Sequence, residues 1–251
     1  MAVFTGSFIS AELERHTSIS VIFPHDTCQA PAVGFPVLYL LHGRTDDSRS
    51  WLYRSNIERY ATERGIAVVM PDAELSFYSD MTYGGKYFTY ITRELPEVVN
   101  TMFRLSLRRE DTYIAGVSMG GYGALKCALT RPDRYAGCIA LSPISDIAKT
   151  MARDCAAGKK DLWAGICGEG LRLAHDADLF YVLEEIGEAP TSYPKLYIAC
   201  GRQDELYDDA IRLKKALDDH RIEFTFEQAP AGHEWGFWDI AIQRGMDVII
   251  K

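Results

Sequence analysis

Residues 112–129, TYIAGVSMGGYGALKCAL, constrain this chain more than any other stretch. A β-branched and apolar run from Thr112 to Val117 leads into Gly116-Val117-Ser118-Met119-Gly120, and Leu125, Ala128 and Leu129 follow at helical spacing. The pattern predicts a strand that turns sharply into a helix, with a serine at the turn. Such a turn leaves no room for side chains two residues before and after the serine, so Gly116 and Gly120 read as steric requirements. Ser118 would hold a strained backbone and present its hydroxyl at the carboxyl end of a strand. The N–H of Met119, opening the helix, would face the same point and suit a developing negative charge. A glycine-rich turn with an incidental serine is the competing reading; the strand-before, helix-after context favours a nucleophile.

The rest of the chain supplies a scaffold for that turn. Residues 2–11 and 16–24 read as an antiparallel hairpin, after which strand and helix alternate. Strands are expected at 36–41, 66–70, 112–117, 136–141, 195–200 and 222–228. Helices are expected at 87–104, 119–130, 205–219 and from about 235, with Ser50 capping another that carries Trp51, Ile57 and Tyr60. Pro96 inside 87–104 demands a kink or a start near Glu94. The alternation predicts an α/β fold: a mostly parallel central sheet covered by helices on both faces, with an antiparallel N-terminal hairpin. It reads as a single domain over 1–251. At about 143–190 the alternation breaks down into an insertion that could lie over the strand ends as a cap.

A serine hydroxyl needs a base within hydrogen-bond reach, and the base needs an orienting acid. In strand–turn–helix sites of this kind the acid and then the histidine follow the serine in the chain. Of the six histidines, His16, His25 and His42 precede Ser118, and His175 precedes the strand that should carry the acid. His220 ends a helix. His233 remains, in the loop Ala229-Pro230-Ala231-Gly232-His233, although a core histidine packed on Trp235 and Trp238 would give the same spacing. Asp204, just past strand 195–200, is the preferred acid. It competes with Glu205, Asp208 and Asp209, and could itself be a helix cap. The second oxyanion donor is expected from the loop Leu41-His42-Gly43-Arg44, with the N–H of Arg44 the best candidate. Gly43 would allow close approach of a substrate, and Trp235 is a candidate pocket wall. His42 is expected to hold the loop, and the Arg44 side chain to be either a solvated charge or a contact for an acidic substrate group.

Bulk properties exclude several classes. The chain has 251 residues, 47% of them hydrophobic and 25% charged, which suits one sizeable core. A net charge of -8 and the absence of a basic run argue against nucleic acid as a partner. No apolar run is long enough to span a bilayer, and residues 1–16 do not read as a secretory signal, so a cytoplasmic protein is expected. The six cysteines, Cys28, Cys127, Cys138, Cys155, Cys167 and Cys200, lack metal or disulfide spacing.

The ordered set LLHG, GVSMGG, CGRQDELY and AGHEWGFWD resembles the esterase D-like branch of the α/β-hydrolases, and most closely the bacterial tributyrin esterase-type carboxylesterases. Asn56–Tyr60, Val68–Asp72 and the stretch from Tyr83-Gly84 to Glu94-Leu95-Pro96 are similar to the same group, so the likeness runs from about residue 36 to the C-terminus. It implies a serine carboxylesterase for short acyl chains, acting on a small-molecule ester without metal or organic cofactor. By motif match it places the nucleophile on Ser118, the acid on Asp204, the base on His233 and the oxyanion hole on the backbone of Arg44 and Met119. S-formylglutathione hydrolases and acetyl- or feruloyl-sugar esterases belong to the same group and are the alternatives; aromatics at Tyr78, Tyr83, Tyr87 and Phe88 could stack on a sugar or be core. Arg44 departs from the apolar residue or Met that relatives carry, which leaves the polarity of the acyl pocket open. The resemblance also allows a homo-oligomer.

Overall fold

Short runs of β-branched and apolar residues form strands here because both faces of a parallel sheet are buried. The computed structural model describes residues 1–26, 32–187 and 193–250; Cys28 and residues 188–190 of the expected insertion lie outside them. The strands are β1 (Ala2–Ser10), β2 (Arg15–Phe23), β3 (Val37–Leu41), β4 (Ala67–Pro71), β5 (Thr112–Val117), β6 (Gly137–Leu141), β7 (Lys195–Gly201) and β8 (Phe224–Ala229). They join in one sheet of order β1-β2-β4-β3-β5-β6-β7-β8. β1 pairs antiparallel with β2, and β2 antiparallel with β4. From β4 to β8 every pairing is parallel. This is the α/β arrangement that the alternation predicts.

The strand order reverses between β3 and β5. The chain leaves β3 for β4 on one side, then returns to β5 on the other, which opens a crevice at the carboxyl ends of β3 and β5. Register pairs Leu41 with Gly116, so the loop after β3 and the turn after β5 leave the sheet side by side. That places the Gly43-Arg44 loop next to Ser118.

Helices cover both faces: α1 (Ser50–Arg54), α2 (Ile57–Arg64), α3 (Tyr87–Thr89), α4 (Leu95–Met102), α5 (Met119–Thr130), α6 (Ile147–Ala156), α7 (Lys160–Cys167), α8 (Leu179–Ile186), α9 (Tyr207–Asp219) and α10 (Trp235–Ile249). One core layer packs Val99, Tyr122, Leu125, Leu183 and Leu213 against the sheet. The other packs Trp51, Ile57, Tyr60, Ile242 and Met246 against the opposite face.

One local expectation is corrected and another is refined. Ser50 does not cap one long helix; it is the first residue of α1, and its hydroxyl accepts from the Asp47 N–H at 3.0 Å. The helix ends at Arg54 because the Ser55 hydroxyl donates to the Trp51 carbonyl, 2.6 Å, and the Asp239 carboxylate takes both the N–H and the side-chain amide of Asn56. A second helix then starts at Ile57. The 87–104 helix is helical over 87–102, with a wide π-type turn over Tyr90–Glu94 between α3 and α4, and α4 starts next to Glu94 as Pro96 demands. Pro96 sits in the first turn of α4, where a missing N–H costs nothing.

Between β6 and β7 lie α6, α7, a 3-10 turn at His175–Ala177, and α8. Asp146 caps α6 through the Lys149 N–H, and Asp178 caps α8 through the Phe180 and Tyr181 N–H groups; each cap is worth about 1 kcal/mol. The Tyr122 hydroxyl donates to the Ala177 carbonyl at 2.7 Å and ties this excursion to α5. Among the described residues no helix is long and apolar enough to cross a membrane.

Candidate active site

The turn at Ser118 has the strain that its sequence implies. Ser118 adopts φ 57 and ψ -114, a region costing about 1–3 kcal/mol for a residue with a side chain. Backbone bonds on both sides hold it there. Its N–H donates to the Leu141 carbonyl at 2.8 Å, and its carbonyl accepts from Tyr122 N–H at 3.0 Å and Ile144 N–H at 3.2 Å. A Cβ on Gly116 would lie 2.3 Å from the Gly120 carbonyl oxygen, and one on Gly120 would lie 2.5 Å from that of Leu41. Gly116 therefore lets the helix fold back over the strand, while Gly120 lets it approach the loop after β3.

The loops that carry His233 and Asp204 are brought together by a contact that sequence spacing does not disclose. A Cβ on Gly201 would stand 2.1 Å from the Ala231 carbonyl oxygen. Arg202 N–H donates to Ala229 at 2.8 Å and Gln203 N–H to Ala231 at 3.0 Å. These bonds extend the β7–β8 pairing past the sheet and set the His233 loop on the turn that carries Asp204. His233 Nδ1 lies 2.8 Å from Asp204 Oδ2, and His233 Nε2 lies 3.1 Å from Ser118 Oγ. The other Asp204 oxygen accepts the Leu206 N–H at 2.9 Å. Of the competing carboxylates, Asp209 is taken by Lys149 at 2.8 Å, and Glu205 lies on the cleft wall.

The Asp204 side chain is 0% exposed. Burial pushes its carboxyl up, but donors from His233, Ser142 and the Leu206 N–H outweigh that and hold it below the usual carboxylate range. An ionised acceptor at Nδ1 keeps the imidazole proton on that nitrogen and leaves the Nε2 lone pair toward Ser118.

Met119 follows the serine in the chain, and Arg44 lies with the serine on the cleft wall. Met119, buried directly after Ser118, opens α5, whose first N–H groups have no partner within the helix. Arg44 leaves β3 two residues after His42. The His42 ring fixes that loop: Nε2 accepts the Ala73 N–H at 2.9 Å, so Nδ1 carries the proton and donates to the Gly43 carbonyl at 2.7 Å. The Arg44 side chain departs from both sequence expectations. It is neither solvated nor free for a ligand; its guanidinium meets Asp154 at 2.7 Å and lies over Phe77. Asp154 also accepts from the Trp163 indole at 3.1 Å, so the pair joins the β3 loop to α6 and α7.

A cleft of about 360 Å³ opens at Ser118, with Gly43, Arg44, Ile144, His233 and Trp235 in its wall. Trp235 stands edge-on to both Trp51 and Trp238. Arg54 and Arg153 also line the cleft, and the Arg54 guanidinium lies 5.8 Å from the Trp235 ring centroid. A larger groove of about 880 Å³ shares Arg44, Thr45 and Asp46 with it. Tyr78 and Tyr87 are buried in the core, Phe88 lies under Lys126, and Tyr83 is exposed away from the cleft.

Sequence reasoning missed Ser142 and Trp238. Ser142 directly follows β6, and its hydroxyl accepts the Trp238 indole N–H at 3.0 Å. From the sequence Trp238 is visible only as a packing partner for His233; the position of Ser142 just past a strand end, level with Ser118, is the signal that could have found it.

The Esterase family model matches residues 10–246. An acetyl esterase of Caldicellulosiruptor saccharolyticus is 30% identical, with 100% of this chain and 99% of the relative covered. Substrate-bound FphF, a fluorophosphonate-binding serine hydrolase of Staphylococcus aureus, superposes with a TM-score of 0.87 at 32% identity, covering 100% of this chain and 98% of that one. The S-formylglutathione hydrolase FrmB of the same organism gives 0.83 at 32% identity, covering 100% and 99%. With the parallel sheet, the antiparallel hairpin and a serine at the turn after β5, this chain belongs to the Esterase family and is a carboxylic ester hydrolase of the serine esterase class with an α/β-hydrolase fold.

Proposed function

We propose that this protein hydrolyses short-chain acyl esters through an acyl-enzyme on Ser118, with His233 as base, Asp204 as orienting acid, and the N–H groups of Arg44 and Met119 as oxyanion hole. The observation that carries this reading is the hydrogen-bonded line Ser118–His233–Asp204, at 3.1 and 2.8 Å, ending at an open cleft. Ser118 Oγ attacks the ester carbonyl while His233 Nε2 takes its proton. The carbonyl oxygen becomes an oxyanion between the two N–H groups, each worth about 3–4 kcal/mol in such a site. His233 then returns the proton to the leaving alcohol as the carbon–oxygen bond breaks. Water repeats the sequence on the acyl-enzyme, giving the acid and free Ser118.

Short acyl groups fit this reading because the cleft, at about 360 Å³, is near the lower end of the ~300–1,000 Å³ of ligand pockets. Gly43 would admit the substrate and Trp235 would pack on it. The 143–190 segment would act as a cap on a single domain, since Ile144 and Arg153 come from its described part. A cytoplasmic site of action belongs to the same reading, supported by the free thiols of Cys127, Cys138, Cys155, Cys167 and Cys200. A second reading, S-formylglutathione hydrolase, is favoured by Arg54 and Arg153. Neither forms an ion pair with a described residue, and both face the cleft; such cations suit a leaving group that bears carboxylates.

The test is a panel of p-nitrophenyl C2–C12 esters, methyl ferulate, acetylated sugars and S-formylglutathione, run on wild type and Ser118→Ala. The expected result is the highest kcat/KM at C2–C4, with no turnover and no fluorophosphonate labelling in the variant. An active Ser118→Ala would remove Ser118 from the mechanism. A preference for C8 or longer would overturn the short-chain assignment, and one for S-formylglutathione would select the second reading.

A further inference from the structure

Tryptophan can only donate, and the Trp238 N–H ends on the Ser142 hydroxyl oxygen, 3.0 Å away. Both residues are buried, Trp238 at 5% and Ser142 at 0% exposure. Because that oxygen accepts from the indole, the Ser142 hydroxyl keeps its own proton to give. The Asp204 carboxylate is within its reach, as is the Cys200 thiol. Backbone contacts fix Ser142 itself, whose N–H donates to the Ala199 carbonyl at 2.7 Å across the β6–β7 pairing. The same Trp238 ring stands edge-on to the His233 imidazole, with centroids 4.7 Å apart at 85°. One side chain thus touches the base directly and reaches the acid through Ser142.

Ser142 also sits at φ 43, in the left-handed region where glycine is free and a side chain is strained. Glycine there would relieve the backbone, so Ser142→Gly separates the part played by the hydroxyl from that played by the backbone. For Asp204 it adds to the donors that Leu206 and His233 already give the two carboxylate oxygens.

We propose that Ser142 and Trp238 are positioning residues, which lock the Asp204 carboxylate and the His233 ring so that Nε2 points at Ser118. This rests on the assignment of Ser118, His233 and Asp204 as the reacting line and deepens it. The rival is that Ser142 only ties β6 to α10.

The experiment measures kcat, KM and the pH profile of p-nitrophenyl acetate hydrolysis for Ser142→Ala, Ser142→Gly and Trp238→Phe, beside Ser118→Ala. Losing a hydrogen bond to a buried charge should lower kcat about tenfold or more in both Ser142 variants, with KM little changed. The acid limb should move to higher pH, because a carboxylate lacking that donor holds the imidazolium more tightly. The other ionisable groups facing these residues, Asp46, Arg54, Arg153, Cys200 and Glu205, are the same in every variant. Trp238→Phe keeps a ring against His233 but no N–H, and should shift the profile in the same direction by less. Ser142→Gly removes strain, so its thermal stability should match or exceed that of Ser142→Ala while its activity stays low. A Ser142→Gly enzyme with wild-type kcat and acid limb would overturn the proposal. If Ser118→Ala still turns over, the underlying assignment has failed instead. Should Ser142→Ala not fold, Ser142→Gly and Trp238→Phe decide the matter.

Discussion

The turn at Ser118 and the helical excursion between β6 and β7 meet at one cleft, yet they are held by different forces. Ser118 is fixed by backbone: its own N–H and carbonyl are bonded to Leu141, Tyr122 and Ile144, and glycine contacts close the turn. The excursion is fixed by side chains: Ile147, Trp163, Ile166, Leu179 and Leu183 bury in the core, and Arg44–Asp154, Lys149–Asp209 and Arg212–Asp146 add ion pairs to that packing. Backbone placement tolerates little substitution, whereas an ion pair can be exchanged without moving a strand. On the proposed mechanism, chemistry is thus set in the rigid layer, and the wall that would meet the substrate is set in the adjustable one.

The sharpest way to break that contrast is to remove a group proposed to react. His233→Ala should lower kcat on the order of 10⁶-fold and Asp204→Asn about 10⁴-fold, both with unchanged circular dichroism. Arg153→Ala, on the same cleft but from the excursion, should alter KM more than kcat. A His233→Ala enzyme within a hundredfold of wild type would mean that the line of hydrogen bonds is not the catalytic one.

Steric substitution separates the two regions next. Gly116→Ala puts a methyl 2.3 Å from backbone that has nowhere to go, at a cost of about 3 kcal/mol or more. Gly158→Ala, between α6 and α7, meets nothing within 4 Å and strains only its φ of 84, about 1–2 kcal/mol. Thermal melts of the two variants should differ by several degrees, with Gly116→Ala the lower.

The same division explains what could be read in the sequence. Gly116, Ser118 and Gly120 are legible because their constraint is local, confined to one turn. Asp204 and His233 follow from chain order, since each lies just beyond a strand end. The Gly201–Ala231 approach that joins their loops is not legible, because Gly201 looks like any glycine after a strand. Nor is the Arg44–Asp154 pair, whose partners are 110 residues apart. Ser142 escapes for another reason: its part depends on a tryptophan from a different element. The break between Trp51 and Ile57 is not legible either, because Asp239, from α10, helps to make it.

Arg44→Met probes the link between the regions. It leaves the Asp154 side chain, 5% exposed, without its cation, a loss of about 3 kcal/mol. In the wild type burial raises the Asp154 carboxyl, but Arg44 and the Trp163 indole outweigh it and hold it low. A depressed folded value means that the unfolded chain binds the proton more readily. That contribution to stability is therefore present above the ordinary carboxylate range near pH ~4 and is lost as pH falls through the folded value. Without Arg44, burial dominates and the sign reverses: stability should be lower at pH 7 and should recover as Asp154 is protonated. Denaturant unfolding of both proteins from pH 3 to 7 measures this; parallel pH curves would show that the pair does not hold the excursion.

Lys149→Met should have the smallest effect. The ammonium reaches Asp209 at 2.8 Å, but its side chain is 60% exposed, so water and salt screen the pair to about 0.5 kcal/mol or less. Asp209 keeps Arg212 nearby at 3.9 Å, and α6 keeps its Asp146 cap. The expected result is an unchanged kcat and a melting temperature within about 2 °C of wild type. A larger drop that vanishes when Asp209 is also neutralised would mean an unpaired carboxylate is the cost. A larger drop that persists in the double variant would mean that this tie carries the excursion, and that the layer facing the substrate is as firmly built as the turn beneath it.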